Sequence, residues 1–409
     1  MKVLISSGAG KLHFNDTALA AASANVDVGF ITGWIPRERD RFWVDALGKL
    51  IGENSLFNRL RLRAVARPGL KNIEVIWPEV AGGLLQVGTK LKLLDPMASW
   101  GQAFILAGRA SRKHLHGADI FHVRSGAGRG GAIARARFEG MKILVDHSIA
   151  HPYAMEELLR PEYERAKLPP EEFRKAGLWK IVLEDCMDAD RLLVNSHFVR
   201  RTFIEQGYDQ DRIDVGYLGV RESYFGLKQK YEIEGRLKVL FTGSFSLRKG
   251  ARSLLEAMRI LRASGVDAEL HIVGNITDGA VWIEEGDSVF LRHTPFAAPE
   301  SLFPLLASSD LFVFPTLAEG CSRSAMEAAA AGMPVITTEN CGLPLQHGSS
   351  VVYTPVNDAQ TLAAEIARLA GSVEERARLG RNGANTIAQE YTWADYGRVL
   401  RSIYTRMLA

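Results

Sequence analysis

Cysteines and long apolar runs are both scarce in this sequence. Its three cysteines, Cys186, Cys321 and Cys341, are odd in number and far apart, which argues against a disulfide framework and against a four-ligand zinc site. No predominantly apolar run reaches the roughly 18 residues that span a bilayer, and the apolar stretch after Met1 is too short for the core of a signal peptide. We therefore expect a protein of a reducing compartment, either cytoplasmic or peripheral on the cytosolic face of a membrane.

An excess of charge of one sign is also lacking. Fifty lysines and arginines nearly balance 47 aspartates and glutamates, giving a formal net charge of +3, so overall charge offers no argument for a nucleic-acid partner. The 47% of hydrophobic and 24% of charged residues are typical of a folded globular protein. A length of 409 residues predicts two domains, since one domain usually holds about 100 to 200 residues.

Short apolar runs alternate with longer segments of helical period along nearly the whole chain. This alternation is typical of parallel sheets with crossover helices, and it predicts an α/β fold with a doubly wound sheet in each half. The predicted strands are residues 2–6, 26–32, 72–77, 119–123, 141–146, 191–195, 213–217, 237–242, 269–274, 288–292, 310–315, 334–338 and 350–353.

A polar segment without periodicity follows residue 217, and we place the domain boundary there, near Ser223. The predicted units are an N-terminal domain at 1–222, a C-terminal domain at 223–390 and a final segment at 391–409. That segment is an amphipathic helix that needs an apolar surface to cover. Its apolar residues recur at helical spacing: Tyr396, Val399, Leu400, Ile403 and Met407.

The stretch 37–71 is locally basic, with nine basic residues against four acidic ones, interleaved with aromatic and leucine side chains. A basic, apolar stretch of this kind can lie on an anionic membrane leaflet. The alternative is a solvated helical face whose apolar side packs inward. The sequence leaves both interpretations open.

The most specific pattern follows the strand predicted at 310–315. Glu319 and Gly320 lead into Ser322, a preferred helix N-cap, and then into an alanine-rich segment that favours a helix. A helix N-terminus at the carboxyl edge of a sheet is suited to an anion such as a diphosphate, because free N–H groups and the positive dipole end converge there. One carboxylate, Glu319, can then reach a sugar, while Glu327 on the helix can accept hydrogen bonds from a ribose. The alternative is that both are ordinary solvated charges.

The spacing of Glu319 and Glu327, followed by Ala331-Gly332-Met333-Pro334, resembles the E-x7-E signature of retaining glycosyltransferases of family 4. Residues 243–250 are similar to that family's G-x5-K-G loop, and residues 189–196 to its D-x5-S strand. The segments 340–344 and 353–358 are also similar to its closing segments. The resemblance is strong from about residue 180 to residue 370.

The resemblance implies the GT-B fold, with two facing Rossmann-like domains and a final helix that crosses back onto the first. It implies metal-independent transfer of a sugar, with retention of the anomeric configuration, from a nucleoside diphosphate sugar to a hydroxyl group. The implied acceptor is a saccharide or a lipid-linked saccharide of cell-surface polysaccharide or glycolipid synthesis. No cofactor is implied beyond the nucleotide-sugar substrate.

In the implied site, Glu319 contacts the transferred sugar, Lys249 neutralises the phosphates and Glu327 holds the ribose. The family commonly has arginine where this chain has Ser244, and Arg248 is the candidate to replace that arginine. The remaining donor contacts are expected from the phosphate loop and from the N-terminus of the alanine-rich helix: Gly243, Ser244, Arg248, Gly320, Cys321, Ser322 and Ser324.

Two features of the N-terminal half resemble acceptor-side elements of the family. Gly8 and Gly10 follow the first predicted strand and resemble its glycine-rich loop, which faces the diphosphate and the acceptor. His147 ends a strand and resembles the family histidine close to the transferred sugar. His151 follows four residues on, as in a zinc pair, but Pro152 and the missing third ligand argue against a metal site.

Two alternative functions compete with this interpretation. Residues 126–131 form a G-x-G-x-x-G pattern after a predicted strand, and Asp146 ends the next one, as in an NAD-dependent oxidoreductase. The following helix is short, however, and the pattern lies far into its domain. A non-catalytic carbohydrate-binding protein is the other alternative, against which the Glu319–Glu327 pair and Lys249 argue. The D-x-D of Asp188 and Asp190 is interpreted as helix-end and turn carboxylates, with no metal bound.

Overall fold

A computed structural model describes residues 1–8, 13–35, 70–170, 172–175, 177–295 and 299–409. Gly10 and the basic stretch up to residue 69 therefore lie outside the described residues. Within the described part of the chain, two parallel sheets form the frame of the molecule. Each sheet is covered by helices on both faces, which explains why most strands are continuous apolar runs without a polar alternation.

The N-terminal sheet has seven strands in the order β3-β2-β1-β4-β5-β6-β7, all paired in parallel. The order reverses between β1 and β4, so the sheet is doubly wound. Its strands are β1 (Lys2–Ser6), β2 (Asp27–Thr32), β3 (Lys71–Glu74), β4 (Ile120–Arg124), β5 (Lys142–His147), β6 (Arg191–Val194) and β7 (Ile213–Val215). Its described helices are α1 (Phe14–Ser23), α2 (Trp77–Lys90), α3 (Pro96–Ser111), α4 (Ala132–Phe138), α5 (Pro152–Arg165), α6 (Gly177–Asp188) and α7 (His197–Glu205).

The C-terminal sheet repeats this plan with six parallel strands in the order β10-β9-β8-β11-β12-β13. Its strands are β8 (Leu237–Thr242), β9 (Ala268–Val273), β10 (Leu291–Thr294), β11 (Leu311–Phe314), β12 (Val335–Thr337) and β13 (Val352–Tyr353). Its helices are α8 (Ala251–Ala263), α9 (Pro299–Ser308), α10 (Arg323–Ala331), α11 (Ala359–Ala370) and α12 (Val373–Glu390), followed by the final helix α13 (Trp393–Leu408).

The predicted α/β class with two doubly wound sheets is confirmed, and each predicted strand overlaps an observed one. The largest shift is at β10, which begins at Leu291 although the sequence predicted residues 288–292. A 3₁₀ turn, Glu285–Val289, occupies the preceding residues. The Asp287 carboxylate caps that turn and accepts a hydrogen bond from Arg259 at 2.7 Å, which holds the chain out of the sheet.

The two domains are joined by chain segments that run side by side. Leu218 packs in the N-terminal core and Val220 in the C-terminal core, so the chain crosses at Gly219. The returning segment lies next to it: the Val220 N–H donates to the Tyr391 carbonyl at 2.9 Å. A side chain at Gly219 would place its Cβ 2.3 Å from the Trp393 nitrogen, so only glycine permits this close crossing.

Helix α13 follows the C-terminal domain in sequence but packs on the N-terminal one. Tyr396 and Tyr404 are buried in the same apolar cluster as Phe14 of α1. The Tyr404 hydroxyl is also 2.7 Å from His122 Nδ1 on β4. The amphipathic period read from residues 391–409 thus corresponds to a face buried against the first domain. Among the described residues, no helix has the length and apolar character needed to cross a bilayer.

Candidate functional site

A cleft of about 500 Å³ lies between the carboxyl edges of the two sheets. Carboxyl ends of parallel strands are the usual place for ligands in doubly wound sheets, because strand-to-helix loops and helix N-termini meet there. Both domains line the cleft: His13, Ser148, Asn195, Leu218, Arg221, Tyr224, Gly243, Lys249, Leu302, Glu319, Cys321, Ser322, Arg323, Ser324 and Glu327.

The loop after β8 brings a lysine into the cleft. Gly243 has φ of +126°, a backbone conformation that side chains rarely adopt, and an added Cβ would lie 2.8 Å from Lys249 Nζ. Lys249 therefore occupies the space that a side chain at residue 243 would fill. Its ammonium lies 5.3 Å from the centroid of the Phe314 ring at the end of β11. Burial lowers the pKa of Lys249, while Glu319 opposes that shift.

Glu319 is held between two cations at the start of the loop after β11. Its Oε1 atom accepts a hydrogen bond from Arg248 Nη1 at 2.7 Å and lies 3.7 Å from Lys249 Nζ. Arg248 Nη1 also donates to the Ala318 carbonyl at 2.7 Å, which fixes the guanidinium against the loop. The Glu319 side chain is 15% exposed and that of Lys249 is 17% exposed. A carboxylate and an ammonium group thus share one wall of the cleft.

The N-terminus of α10 opens into the same wall. Ser322 caps the helix by accepting a hydrogen bond from the Ala325 N–H, and its hydroxyl is 3.1 Å from that of Ser324. Within the described structure, the N–H groups of Arg323 and Ser324 have no acceptor. Free N–H groups and the positive end of the helix dipole favour an anion here. The alanines of α10 are buried, so the helix packs closely on the sheet and its N-terminus is rigidly placed.

Glu327 lies one turn into α10 and faces the cleft mouth. Its carboxylate is 3.7 Å from the Arg323 guanidinium, and its side chain is 19% exposed. Burial raises its pKa, while Arg323, Arg221 and the Tyr224 hydroxyl oppose the shift. A carboxylate in this environment is a strong acceptor for vicinal hydroxyl groups, because little water competes for it.

Gly320 lies at one of the contacts between the two domains. The Ser196 hydroxyl donates to the Gly320 carbonyl at 2.5 Å. A Cβ at residue 320 would lie 2.1 Å from the Ser148 carbonyl oxygen and 2.6 Å from Asn195 Nδ2. Glycine is therefore required for the loop that carries Glu319 to approach the N-terminal domain so closely.

Comparisons with known proteins give matches for part of the sequence and for the fold. Residues 236–372 match the family profile described as Glycosyl transferases group 1. The amylovoran biosynthesis glycosyltransferase AmsK of Erwinia amylovora is 30% identical over 190 residues, which are 44% of this chain and 47% of AmsK. The MMP alpha-(1->4)-mannosyltransferase of Mycolicibacterium hassiacum is 28% identical over 207 residues, 49% of each chain. The chain thus spans about half the length of the curated relatives that it matches.

Solved structures extend the likeness to the whole fold. Sucrose-phosphate synthase from Thermosynechococcus elongatus superposes with a TM-score of 0.71 at 17% identity, over 100% of this chain and 99% of that one. Anabaena HepE, solved in complex with UDP, superposes with a TM-score of 0.61 at 14% identity, over 99% and 100% of the two chains. The predicted GT-B fold is confirmed.

The predicted site histidine, His147, is not in the cleft lining. His147 ends β5 and is buried, but its Nδ1 lies 2.9 Å from the Ser125 hydroxyl and its ring packs against Phe203. Burial lowers its pKa to about 4, so it is neutral at pH 7. The next residue, Ser148, lines the cleft instead. Because successive residues of a strand point to opposite faces, an error of one residue at the strand end moves the side chain away from the site.

Other predicted donor and acceptor contacts also differ in position. Ser244 is exposed and lies outside the cleft lining. Arg248 is not in the cleft lining, but it donates a hydrogen bond to Glu319, which is. Gly8, with φ of +62°, packs against Ala127 and Phe104 and borders a small separate cavity. Gly10 lies outside the described residues. Gly320, also predicted to contact the donor, packs against the N-terminal domain and is not in the cleft lining. The remaining predicted donor residues, Gly243, Cys321, Ser322, Ser324 and Glu327, are brought together in the cleft.

The sequence interpretation missed His13, the titratable side chain that the N-terminal domain brings into the cleft lining. His13 Nε2 is 3.0 Å from Asp146 Oδ2, and His122 Nε2 lies 3.5 Å from the same oxygen. Burial opposes ionisation of Asp146, but the two histidines outweigh it and hold the pKa of the carboxyl well below its usual range. The signal in the sequence was the position of His13, directly after the glycine-rich loop and at the start of α1.

The glycine-rich pattern at 126–131 is filled by protein rather than open to a dinucleotide. The Gly128 N–H donates to Asp185 Oδ2 at 2.7 Å, and a Cβ at Gly130 would lie 2.3 Å from the Ile105 carbonyl of α3. Asp146, the acidic residue that completes that pattern, is engaged by His13 and His122 instead. The D-x-D carboxylates are likewise engaged: Asp188 pairs with Arg129, and Asp190 accepts from the Ile143 N–H at 2.7 Å. Neither pattern forms a ligand site here.

Proposed function

We propose that this protein is a retaining glycosyltransferase that moves a sugar from a nucleoside diphosphate sugar to a hydroxyl group of a saccharide or lipid-linked acceptor. The observation that carries the proposal is the wall formed by Glu319, Lys249 and the N-terminus of α10 in one cleft. One side of that wall suits a diphosphate and the other suits a sugar ring, and the two sides are joined by the Glu319–Lys249 contact.

The donor would bind with its diphosphate at Lys249 and the free N–H groups of Arg323 and Ser324. Glu327 would accept hydrogen bonds from the ribose hydroxyls, and the Ser322 and Ser324 hydroxyls would donate to phosphate oxygens. Departure of the nucleoside diphosphate places negative charge on the bridging oxygen, which a lysine and a helix N-terminus stabilise. The Lys249 side chain is only 17% exposed, and its charge acts more strongly on a bound anion where water is largely excluded.

The reaction forms a bond between the acceptor oxygen and the anomeric carbon and breaks the bond from that carbon to the leaving phosphate. The proton of the acceptor hydroxyl ends on the nucleoside diphosphate that is released. Glu319 would face the positive character that develops at the anomeric carbon and would orient the sugar through its hydroxyl groups. Retention of configuration is implied by the E-x7-E resemblance and is tested by the anomeric coupling constant of the first product.

We also propose that the reaction needs no metal ion. The positive charge that a diphosphate requires would come from Lys249 and from the N-terminus of α10. Arg248 would contribute through its ion pair with Glu319, which lies beside Lys249. Among the described residues, the acidic, histidine and cysteine side chains form no group of three that could hold a metal. Turnover in the presence of a chelator, compared with turnover in added Mg²⁺ or Mn²⁺, tests this proposal.

The acceptor would enter from the N-terminal domain, where His13, Ser148 and Asn195 face the donor wall. Among the matched relatives are proteins named for amylovoran and capsular polysaccharide biosynthesis and an O-antigen chain mannosyltransferase. These names support a cell-surface polysaccharide or glycolipid acceptor. Contact between the stretch 37–71 and a membrane stays a prediction, because residues 37–69 lie outside the described part of the chain.

The experiment is to measure nucleoside diphosphate release from a panel of UDP-, GDP- and ADP-sugars with saccharide acceptors. The wild type should release one nucleoside diphosphate in an acceptor-dependent way. Glu319→Gln should lose at least about 100-fold in kcat while the folded protein still binds that nucleoside diphosphate, because the substitution removes charge beside the reacting carbon. The exposed Glu234→Gln serves as the matched control. Sugar binding without turnover would instead favour the non-catalytic carbohydrate-binding alternative.

A further inference from the structure

Helix α2 presents a continuous apolar face that no described residue covers. Trp77, Val80, Leu84 and Val87 recur at helical spacing and are 46%, 60%, 69% and 53% exposed. The opposite side of α2 packs on α3, where Thr89 Oγ1 lies 3.1 Å from Ser99 Oγ. We name the exposed set the apolar row. It consists of Ile76, Trp77, Val80, Leu84, Val87, Leu91, Leu93 and Leu94.

A basic cavity adjoins one end of the apolar row. Its volume is about 430 Å³, and Trp77 belongs to both features. We name its four cations the basic cup: Arg109, Arg112, Lys113 and Arg135. Arg135 pairs with Glu139 at 2.5 Å. Within the described structure, the other three have no carboxylate partner.

Structural roles account for only part of this arrangement. Cations at the end of α3 are favourable for its helix dipole, and Arg109 alone would serve that purpose. The dipole does not explain why Arg135 of α4 converges on the same cavity or why Trp77 stands exposed beside it. Nor does it explain a row of eight large apolar side chains in water, since exposed patches of this extent mark interaction sites in folded proteins.

We infer that the apolar row and the basic cup together bind the surface of an anionic phospholipid leaflet. The apolar row would lie at the boundary between headgroups and acyl chains, parallel to the membrane plane, while the basic cup holds lipid phosphate groups. The juxtaposition of unpaired cations with the apolar face favours this occupant over a second copy of the chain. Lipid phosphate groups would give Arg109, Arg112 and Lys113 the anionic partners that they lack within the described structure.

This surface is separate from the cleft, since the two sets of lining residues share no member. The inference therefore does not rest on the proposed function, and its test does not need turnover. A leaflet contact on the N-terminal domain would place the acceptor side of the cleft near lipid-linked substrates. That consequence belongs to the donor and acceptor proposal and can fail independently of membrane binding.

The first experiment is co-sedimentation of the full chain with vesicles of phosphatidylcholine alone or with added phosphatidylglycerol. We expect binding to the anionic vesicles that weakens with added salt, and much weaker binding to the neutral vesicles. The triple variant Arg109→Gln, Arg112→Gln, Lys113→Gln should bind at least about tenfold more weakly, because each basic side chain near an anionic surface contributes to affinity. The control triple variant Lys230→Gln, Arg262→Gln, Arg292→Gln removes the same charge from the C-terminal domain and should bind like the wild type.

The second experiment locates the contact on α2. The three native cysteines are buried, so a single introduced cysteine can be labelled with a polarity-sensitive fluorophore. Leu84→Cys, at a residue 69% exposed, should show a blue shift on anionic vesicles, whereas Met187→Cys, at a residue 67% exposed, should not. Both substitutions fall at exposed positions, so both proteins should fold.

Four results of the vesicle experiments would overturn the inference, and so would one result without vesicles. They are absence of binding to anionic vesicles, equal binding to neutral and anionic vesicles, wild-type binding by the basic-cup variant, and an unshifted label at residue 84. A label at residue 84 that is already in an apolar environment without vesicles would also overturn it, because another part of the chain or a second copy would then cover α2. Sedimentation equilibrium of the labelled protein distinguishes the two cases, since a second copy doubles the molecular mass and another part of the same chain does not.

Discussion

Replacing Lys249 with methionine separates the chemistry of the cleft from the stability of the fold. Methionine keeps most of the side-chain volume and removes the charge. The Glu319 carboxylate keeps a cationic partner after this change, because Arg248 still donates a hydrogen bond to its Oε1 atom at 2.7 Å. Burial already lowers the pKa of Lys249 in the folded protein, so the native state gains little from this ammonium. The free energy of unfolding should therefore change by less than about 1 kcal/mol.

The effect on catalysis should be larger. A hydrogen bond to a charged group contributes about 1.5 to 3 kcal/mol when a partner is left unpaired, and the departing diphosphate is the group that Lys249 would leave unpaired. A loss of about 2 to 3 kcal/mol corresponds to a decrease of about 30- to 160-fold in kcat/KM at about 1.36 kcal/mol per factor of ten. The decrease should appear mainly in kcat, since the charge on the leaving group grows in the transition state.

The assay is nucleoside diphosphate release at subsaturating donor, together with urea unfolding of the same preparation. Lys230→Met, at an exposed lysine of the same domain, is the matched control and should retain wild-type kinetics. A decrease in kcat/KM of less than about threefold for Lys249→Met, with the fold intact, would refute the assignment of Lys249 to the diphosphate. A large loss of stability would refute the reasoning about Arg248.

Three further predictions follow from single contacts. Glu327→Gln should raise the KM for the donor about tenfold with a small change in kcat, measured in the same assay, because it weakens ground-state hydrogen bonds to the ribose; an unchanged KM would contradict its role. Gly320→Ala should separate the domains, since its Cβ would lie 2.1 Å from the Ser148 carbonyl oxygen, and small-angle scattering should show a larger radius of gyration together with at least about tenfold lower kcat/KM. Asp146→Asn should lower the free energy of unfolding at pH 7 by about 2 kcal/mol and flatten its acid dependence. The folded-state pKa of Asp146 is depressed, so its stabilisation is present above the unfolded pKa and is lost as pH falls below about 4. Urea unfolding at neutral and acid pH checks both effects. Parallel acid profiles of the wild type and the variant would refute the predicted change in acid dependence.

The C-terminal half of the site could be predicted because its determinants are local in sequence. A buried strand, a loop with Glu319, a serine cap and an alanine-rich helix are consecutive along the chain, and their geometry follows from strand direction and helix polarity. Lys249 was predicted from the resemblance of residues 243–250 to the family loop. The structure shows how that loop reaches the same edge, since β8 is adjacent to β11 in the sheet.

The acceptor side could not be predicted to the same depth. Whether His147 or Ser148 faces the cleft depends on a single residue of register at the end of β5, which sequence patterns do not resolve. His13 is held by Asp146, which His122 also approaches, and these three residues come from three different segments of the domain. Such long-range pairings leave no periodic signal. The exposed face of α2 was missed for the opposite reason, because apolar residues at helical spacing normally indicate burial.

The central claim is that the cleft binds a nucleoside diphosphate between Lys249 and the start of α10. Calorimetric titration of the full-length wild type with UDP, GDP and ADP, in buffer containing a chelator, tests it most directly. The account predicts saturable binding of one of these at one site per chain, weakened at least about tenfold by adding a side chain at Gly243, whose Cβ would lie 2.8 Å from Lys249 Nζ. Absence of binding by all three nucleotides, or equal binding by wild type and Gly243→Val, would contradict it.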